Sequence, residues 1–171
     1  MKIAIIGFSG SGKSTLAKVL GQFYHIPVCH LDALFHLPNW EERSDEEFDG
    51  LLKDFMKNNE SWIIEGSYLK HVPTRFEEAD IVIGLIYNRF VCLKGVIKRY
   101  HKYKGKTRPD MGIGCTEKLD YAFIKWVFFK GHTKKRKKKL LNVIACAKEG
   151  YAFKNRRQLQ RYLKNKGVVK E

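Results

Sequence analysis

No stretch of this sequence approaches the roughly 18 consecutive apolar residues that a membrane-crossing helix requires. The early run "IAII" is too short for the apolar core of a secretion signal, and a charged loop follows it at once. Cysteine is sparse. Cys29, Cys92, Cys115 and Cys146 are scattered without C-x-x-C spacing, which argues against a zinc site or a disulfide frame and fits reduced thiols in a cytoplasmic protein. Internal repeats and linker-like segments are missing, so residues 1–171 read as one domain, large enough to bury a core. A hydrophobic content of 44% excludes a disordered chain.

Charge is present in excess and unevenly placed. The net is +15, yet residues 1–87 carry eight basic against thirteen acidic side chains. Residues 88–129 carry ten against three, and residues 130–171 fifteen against two. An acidic front and a strongly basic back imply an anionic ligand or partner without naming it.

"KIAII" is a β-branched run closed by glycine, as in a central strand buried on both faces. "GKSTLAKVLGQFYH" has helical spacing in Leu16, Val19, Leu20 and Phe23. "IPVCHLD", "SWIIEG" and "DIVIGLIY" read as further strands, with "YAF" as a short fifth. "SDEEFDGLLKDFMKNN" opens on Ser44 with Glu47 three residues later, a capping box, and carries Phe48, Leu51, Leu52 and Phe55 on one stripe. "NRFVCLKGVIKRYHK", "TEKLDYAFIKWVFFK" (apolar at Leu119, Phe123, Trp126 and Val127), "TKKRKKKLLNVIACAKEG" and "RRQLQRYLKN" read as helices, and "YKGKTRPDMGIG" as a loop. Strands alternating with helices predict an α/β fold with a parallel sheet covered on both faces.

The stretch "GFSGSGKST" fits G-x-x-x-x-G-K-[ST] and stands between a strand and a helix. Small residues let backbone N–H groups turn inward around phosphates, and the following helix adds its free amides and positive dipole end. The cradle comprises Gly7, Ser9, Gly10, Ser11, Gly12, Lys13, Ser14 and Thr15. Lys13 can reach the β- and γ-phosphates, and the Ser14 hydroxyl can hold Mg²⁺. An ordinary tight turn does not account for a lysine followed by a hydroxyl residue. The N-K-x-D sequence that regulatory GTPases use to read a base is absent.

"IAIIGFSGSGKSTLA", "IPVCHLDAL", "WIIEGSY" and "TRPDMGIGCTEKLDYAFIKWV" together resemble the adenylate-kinase-related P-loop kinases known as DNA-topology modulation proteins, over nearly the whole chain. That family name reflects a genetic association and carries no mechanism. The resemblance implies a P-loop NTPase of nucleoside-monophosphate-kinase-like, three-layer architecture, with a five-stranded parallel sheet of order 2-3-1-4-5. It further implies an acceptor-binding helical segment at about 31–60 and a basic helical lid at about 98–118. Adenylate kinases carry G-x-P-G-x-G-K-G-T in the loop and D-G-[FY]-P-R after the third strand. Here "GFSGSGKST" and "EGSYLK" stand instead, so specificity for AMP does not transfer.

Within that frame Asp32, after the second strand, orients an acceptor hydroxyl or a metal-bound water; a plain helix cap is the alternative. Glu65, ending "WII", is a Walker-B-like carboxylate for Mg²⁺, or a surface glutamate. Arg89, Arg99 and Arg108 are candidate lid cations, with Arg108 of "TRPD" the first choice, against a solvated basic face. In related kinases adenine lies against the loop matched here by Lys154, Asn155 and Arg156. His30 and His36 read as ordinary polar or core residues, and Trp40, Trp62 and Trp126, with the run "YAFIKWVFF", as core rather than a platform for stacking a base. The run "KKRKKK" is a solvated helix face, or a surface for nucleic acid or an acidic membrane. The expected activity is transfer of the γ-phosphoryl group of ATP, with Mg²⁺, to a small molecule or nucleotide. The alternative is a nucleotide-regulated, DNA-associated protein that contacts nucleic acid through its basic C-terminal third.

Overall fold

Three β-branched strands, β1 (Lys2–Gly7), β3 (Trp62–Glu65) and β4 (Ile81–Leu85), are buried along almost their whole length, as their near-continuous apolar sequence requires. Each fully buried Ile or Leu on them contributes roughly 1.5–3 kcal/mol relative to exposure. The structure, a computed structural model, describes residues 1–168. β2 (Val28–His30) and β5 (Glu149–Phe153) close the two edges of a five-stranded parallel sheet of order β2-β3-β1-β4-β5. The register sets the strand ends level: Ile5 pairs with Glu65, which pairs with His30, while Gly7 pairs with Leu85, which pairs with Phe153. The residues just beyond these carboxyl ends therefore share one crevice, where open α/β sheets bind ligands.

Helices cover the sheet. α1 (Lys13–Tyr24) packs on β1, β2 and β3, and buries Leu16, Ala17, Leu20 and Gly21. Phe23, expected on that stripe, is instead 42% exposed, because the buried face runs through the small residues Ala17 and Gly21. α2 (Leu31–Phe35) leads through a 3₁₀ turn at Pro38–Trp40 to α3 (Asp45–Asn58). Ser44 caps α3 as expected, its hydroxyl accepting from the Glu47 amide at 3.2 Å. Glu47 does not complete the reciprocal half of the box; its carboxylate pairs with Arg43. The buried stripe of α3 is Phe48, Leu52 and Met56, with Leu51 turned to solvent. α4 (Thr74–Glu78) follows β3, and α5 (Arg89–Tyr103), capped by Asn88, follows β4.

The helix expected from residue 116 begins only at Tyr121, giving α6 (Tyr121–Phe128), because the Asp120 carboxylate accepts from the Phe123 amide at 2.7 Å and sets the start. α7 (Lys134–Ala145), capped by Thr133, packs on β4 and β5, and α8 (Arg156–Asn165) on β5. No helix among the described residues is long and apolar enough to cross a membrane, and all four cysteines are free.

Between α6 and α7 the His132 ring lies tilted against Phe8, centroids 4.0 Å apart, and its Nδ1 lies 2.7 Å from the Val127 carbonyl. Burial, reinforced by the charges of Arg89 and Arg136, holds His132 below its ordinary value of 6.5 and outweighs the hydrogen bonds that favour its charged form. As the pH falls the unfolded chain takes up this proton first. The contribution to stability is therefore present above about pH 6.5 and declines below it. Urea melts between about pH 7 and 5 should show a shallower loss of stability with acid in His132→Gln than in the parent, whatever the variant's absolute stability.

Candidate phosphate-transfer site

Residues 8–12 bridge β1 to α1. Gly10 has φ 77°, and a methyl group there would meet the Cys92 carbonyl oxygen of α5 at 2.2 Å. From the other side, a methyl at Gly95 would lie 2.0 Å from the Gly10 oxygen. Loop and helix thus touch backbone to backbone, and only hydrogen fits at either position. Gly12 has φ 99°, with open space where a side chain would project. As N-cap of α1 it offers no side-chain acceptor, and no acidic residue stands in the first turn, so the leading amides of α1 are left for an anion. Ser67 pins the loop's start: its hydroxyl accepts from the Gly7 amide at 3.0 Å and donates to the Gly7 carbonyl at 2.8 Å. Ser11 is buried, Thr15 is exposed on the first turn of α1, and Gly7, Ser9 and Lys13 line a cavity of about 630 Å³.

Lys13 Nζ donates to the Phe8 carbonyl at 3.2 Å and lies 3.7 Å from Glu65 Oε1. Glu65 is 2% exposed, so it is not the surface glutamate of the alternative reading. It accepts from the Ser14 hydroxyl at 3.1 Å, and His30 Nδ1 lies 3.1 Å from the same oxygen. His30, expected as an ordinary histidine, therefore belongs to the site. Asp110 reaches the group from the loop after α5. Burial pushes its carboxyl up, but Arg108 and the Ser14 hydroxyl outweigh that and hold it below the usual carboxylate range. A serine hydroxyl beside two carboxylates is a hard-oxygen donor set that fits Mg²⁺. Among the described residues no cluster of three or more Asp, Glu, His or Cys could itself hold a metal.

Asp32, which also lines the cavity, stands on the first turn of α2, and its Oδ1 accepts from the Tyr68 hydroxyl at 2.9 Å. Burial and the Asp32 charge push the Tyr68 phenol upward, so it remains a donor. The loop carrying Tyr68 is tied down by Arg75, fully buried on α4, whose guanidinium donates to the carbonyls of Tyr68 (2.9 Å), Val72 (3.3 Å) and His71. Burial lowers the Arg75 pKa to about 10. His71 Nδ1 lies 2.8 Å from Asp49 of α3, which joins this loop to the helical segment after β2.

The two lid arginines expected to meet phosphate are held by protein. Glu117, its side chain 1% exposed, takes Arg99 Nε on one oxygen and Arg108 Nε on the other, both at 2.7 Å. Arg108 also donates to Asp110 at 2.9 Å. Neither arginine lines the cavity. Burial and the neighbouring Arg108 charge lower the Arg99 pKa, against the pull of Glu117. Arg89 lies with its guanidinium 5.2 Å over Phe128. Lys154, Asn155 and Arg156 are exposed at the β5–α8 junction. Asn155 caps α8 by accepting from the Gln158 amide at 2.9 Å, and the Arg156 charge reaches Tyr87 and Cys92, the latter against Gly10.

Trp126 belongs to the cavity lining rather than to the core, and so do Lys130, Lys135, Arg136 and Lys139, the last three of them from the run expected to be solvated. Trp62 is fully buried, as expected, and Trp40 is half-buried with its indole donating to the Thr116 carbonyl at 3.0 Å.

No protein-family model matches this chain, and no curated protein sequence does. Solved structures do. Deoxyadenosine kinase from M. mycoides with bound dATP is similar at 14% identity and a TM-score of 0.59, over 99% of this chain and 100% of that one. Shikimate kinase from Acinetobacter baumannii in complex with shikimate is similar at 14% identity and a TM-score of 0.58, over 96% and 94%. TT1252 from Thermus thermophilus is similar at 16% identity and a TM-score of 0.56, over 98% and 96%. At such identities the likeness shows the fold: the chain has the P-loop NTPase fold, in the strand order expected from the sequence.

Proposed function

We propose that this protein is an ATP-dependent kinase that moves the γ-phosphoryl group to a small acceptor. The observation that carries the reading is the convergence of an uncapped α1 N-terminus, Lys13, Ser14 and buried Glu65 beside a cavity that both Lys13 and Asp32 line. Fold neighbours that are kinases of small molecules and nucleosides favour it, and the shared motifs favour the topology-modulation group within such kinases.

The loop amides and Lys13 bind the polyphosphate and offset its charge. Ser14 and Glu65, with Asp110 beside them, would hold Mg²⁺, which when bound neutralises charge developing on the phosphate oxygens. Asp32, oriented by Tyr68, accepts the proton of the attacking hydroxyl. Residues 31–60 shape the acceptor side, and the segment 98–118, with Arg99 and Arg108 fixed on Glu117, closes from above. Lys154, Asn155 and Arg156 flank the base. The reading of a nucleotide-regulated DNA-binding protein draws on the lysines of α7, and the inward-facing part of that run favours a small anionic ligand instead.

Calorimetry with ATP, with and without Mg²⁺, followed by a transfer screen over hydroxyl-bearing acceptors, tests the proposal. Magnesium-dependent nucleotide uptake with turnover of at least one acceptor is expected; no uptake by folded protein defeats it. Asp32→Asn should lower kcat by about a hundredfold or more while leaving the nucleotide affinity unchanged.

A further inference from the structure

Part of the wall of the cavity that Gly7, Ser9 and Lys13 line is built from one face of α7. Lys135, Arg136, Lys139 and Leu140 fall at i, i+1, i+4 and i+5, so they share a side of the helix. Leu140 is fully buried, and that anchor fixes which face of the lysine-rich run looks inward. Packing holds the near end of this segment against the loop, through the His132 ring set against Phe8.

Arg136 is the least exposed of these cations. It is half-buried, and its guanidinium lies 5.2 Å over the ring of Trp126, itself on the cavity wall. Burial depresses its pKa, with no carboxylate drawing it back. Among the described residues no acidic side chain pairs with Arg136, Lys130, Lys135 or Lys139. Arg99 and Arg108 show the contrast, since both are ion-paired, with Glu117 and, for Arg108, Asp110 as well. The carboxylates lining the cavity are Asp32, engaged by Tyr68, and Glu42. A desolvated guanidinium without a counter-charge, in a cavity rich in lysine, is matched by an oxyanion.

We infer that Arg136 and Lys139 form a second anion subsite, separate from the phosphate cradle, and that the acceptor carries its own phosphate or carboxylate group there. This rests on the kinase reading for the word acceptor, whereas the subsite itself is testable without turnover. The folded chain is saturated with Mg²⁺ and ADP to fill the cradle and then titrated with methyl phosphate and, separately, acetate, following the Arg136 Nε–Hε resonance by NMR. Saturable binding of at least one probe is expected, weakened about tenfold in Arg136→Gln and likewise in Lys139→Gln, the loss of one charge-assisted hydrogen bond. Preference for methyl phosphate marks a phosphorylated acceptor, and preference for acetate a carboxylate. No saturable shift with either probe, or binding that both variants retain in full, overturns the inference. Failure of ADP to bind would count against the kinase reading alone, because the probes still report on Arg136.

Discussion

Lys13→Ala is expected to lower phosphoryl transfer by about three orders of magnitude, the scale on which single preorganised cations and donors act on a transferring phosphoryl group. Lys13 is the cation placed both by the loop and against the Walker-B-like carboxylate, 3.2 Å from the Phe8 carbonyl and 3.7 Å from Glu65. Its removal leaves Glu65 with Ser14 and His30 as partners, so the fold stays intact and melting moves little. Single-turnover rates beside thermal melts check this. Transfer within about tenfold of the parent would place the phosphate elsewhere.

Glu117→Gln carries the second large effect, on stability. One carboxylate, 1% exposed, pairs with both Arg99 and Arg108. Removing one member of a buried ionic cluster leaves uncompensated charge in a dry setting, and typically costs about 3–5 kcal/mol. Here it leaves Arg99 without its carboxylate beside Arg108, which keeps only Asp110 and already depresses Arg99. The loss should concentrate in residues 104–120, seen as accelerated amide exchange and early proteolysis there, with denaturant melts reporting the total. Unchanged exchange in that segment would mean that the arginines find other partners and that Glu117 does not organise the lid.

The strand, loop and first helix were legible because their signals are local: a β-branched run, glycines at fixed spacing, and a lysine followed by a hydroxyl residue. The strand order came through the resemblance and matches the sheet found. What stayed hidden is tertiary. Arg99 and Arg108 read as cations awaiting phosphate because nothing in the sequence shows that Glu117 folds between them. The lysines of α7 read as solvated because helical position alone does not reveal an inward face; the buried Leu140 decides it. α2 and α4 span five residues each, too few for a helical period to show. The early start assigned to α6 was avoidable, since an aspartate directly before an apolar helical run is a capping signal, and Asp120 acts as one.

At Gly10 and Gly95 there is no side chain to cushion cradle from helix, so the two are a single mechanical piece. On the proposed reading, a lid carried by α5 has no pivot at this contact with the phosphate loop, and its swing would start past Tyr103, where α5 ends.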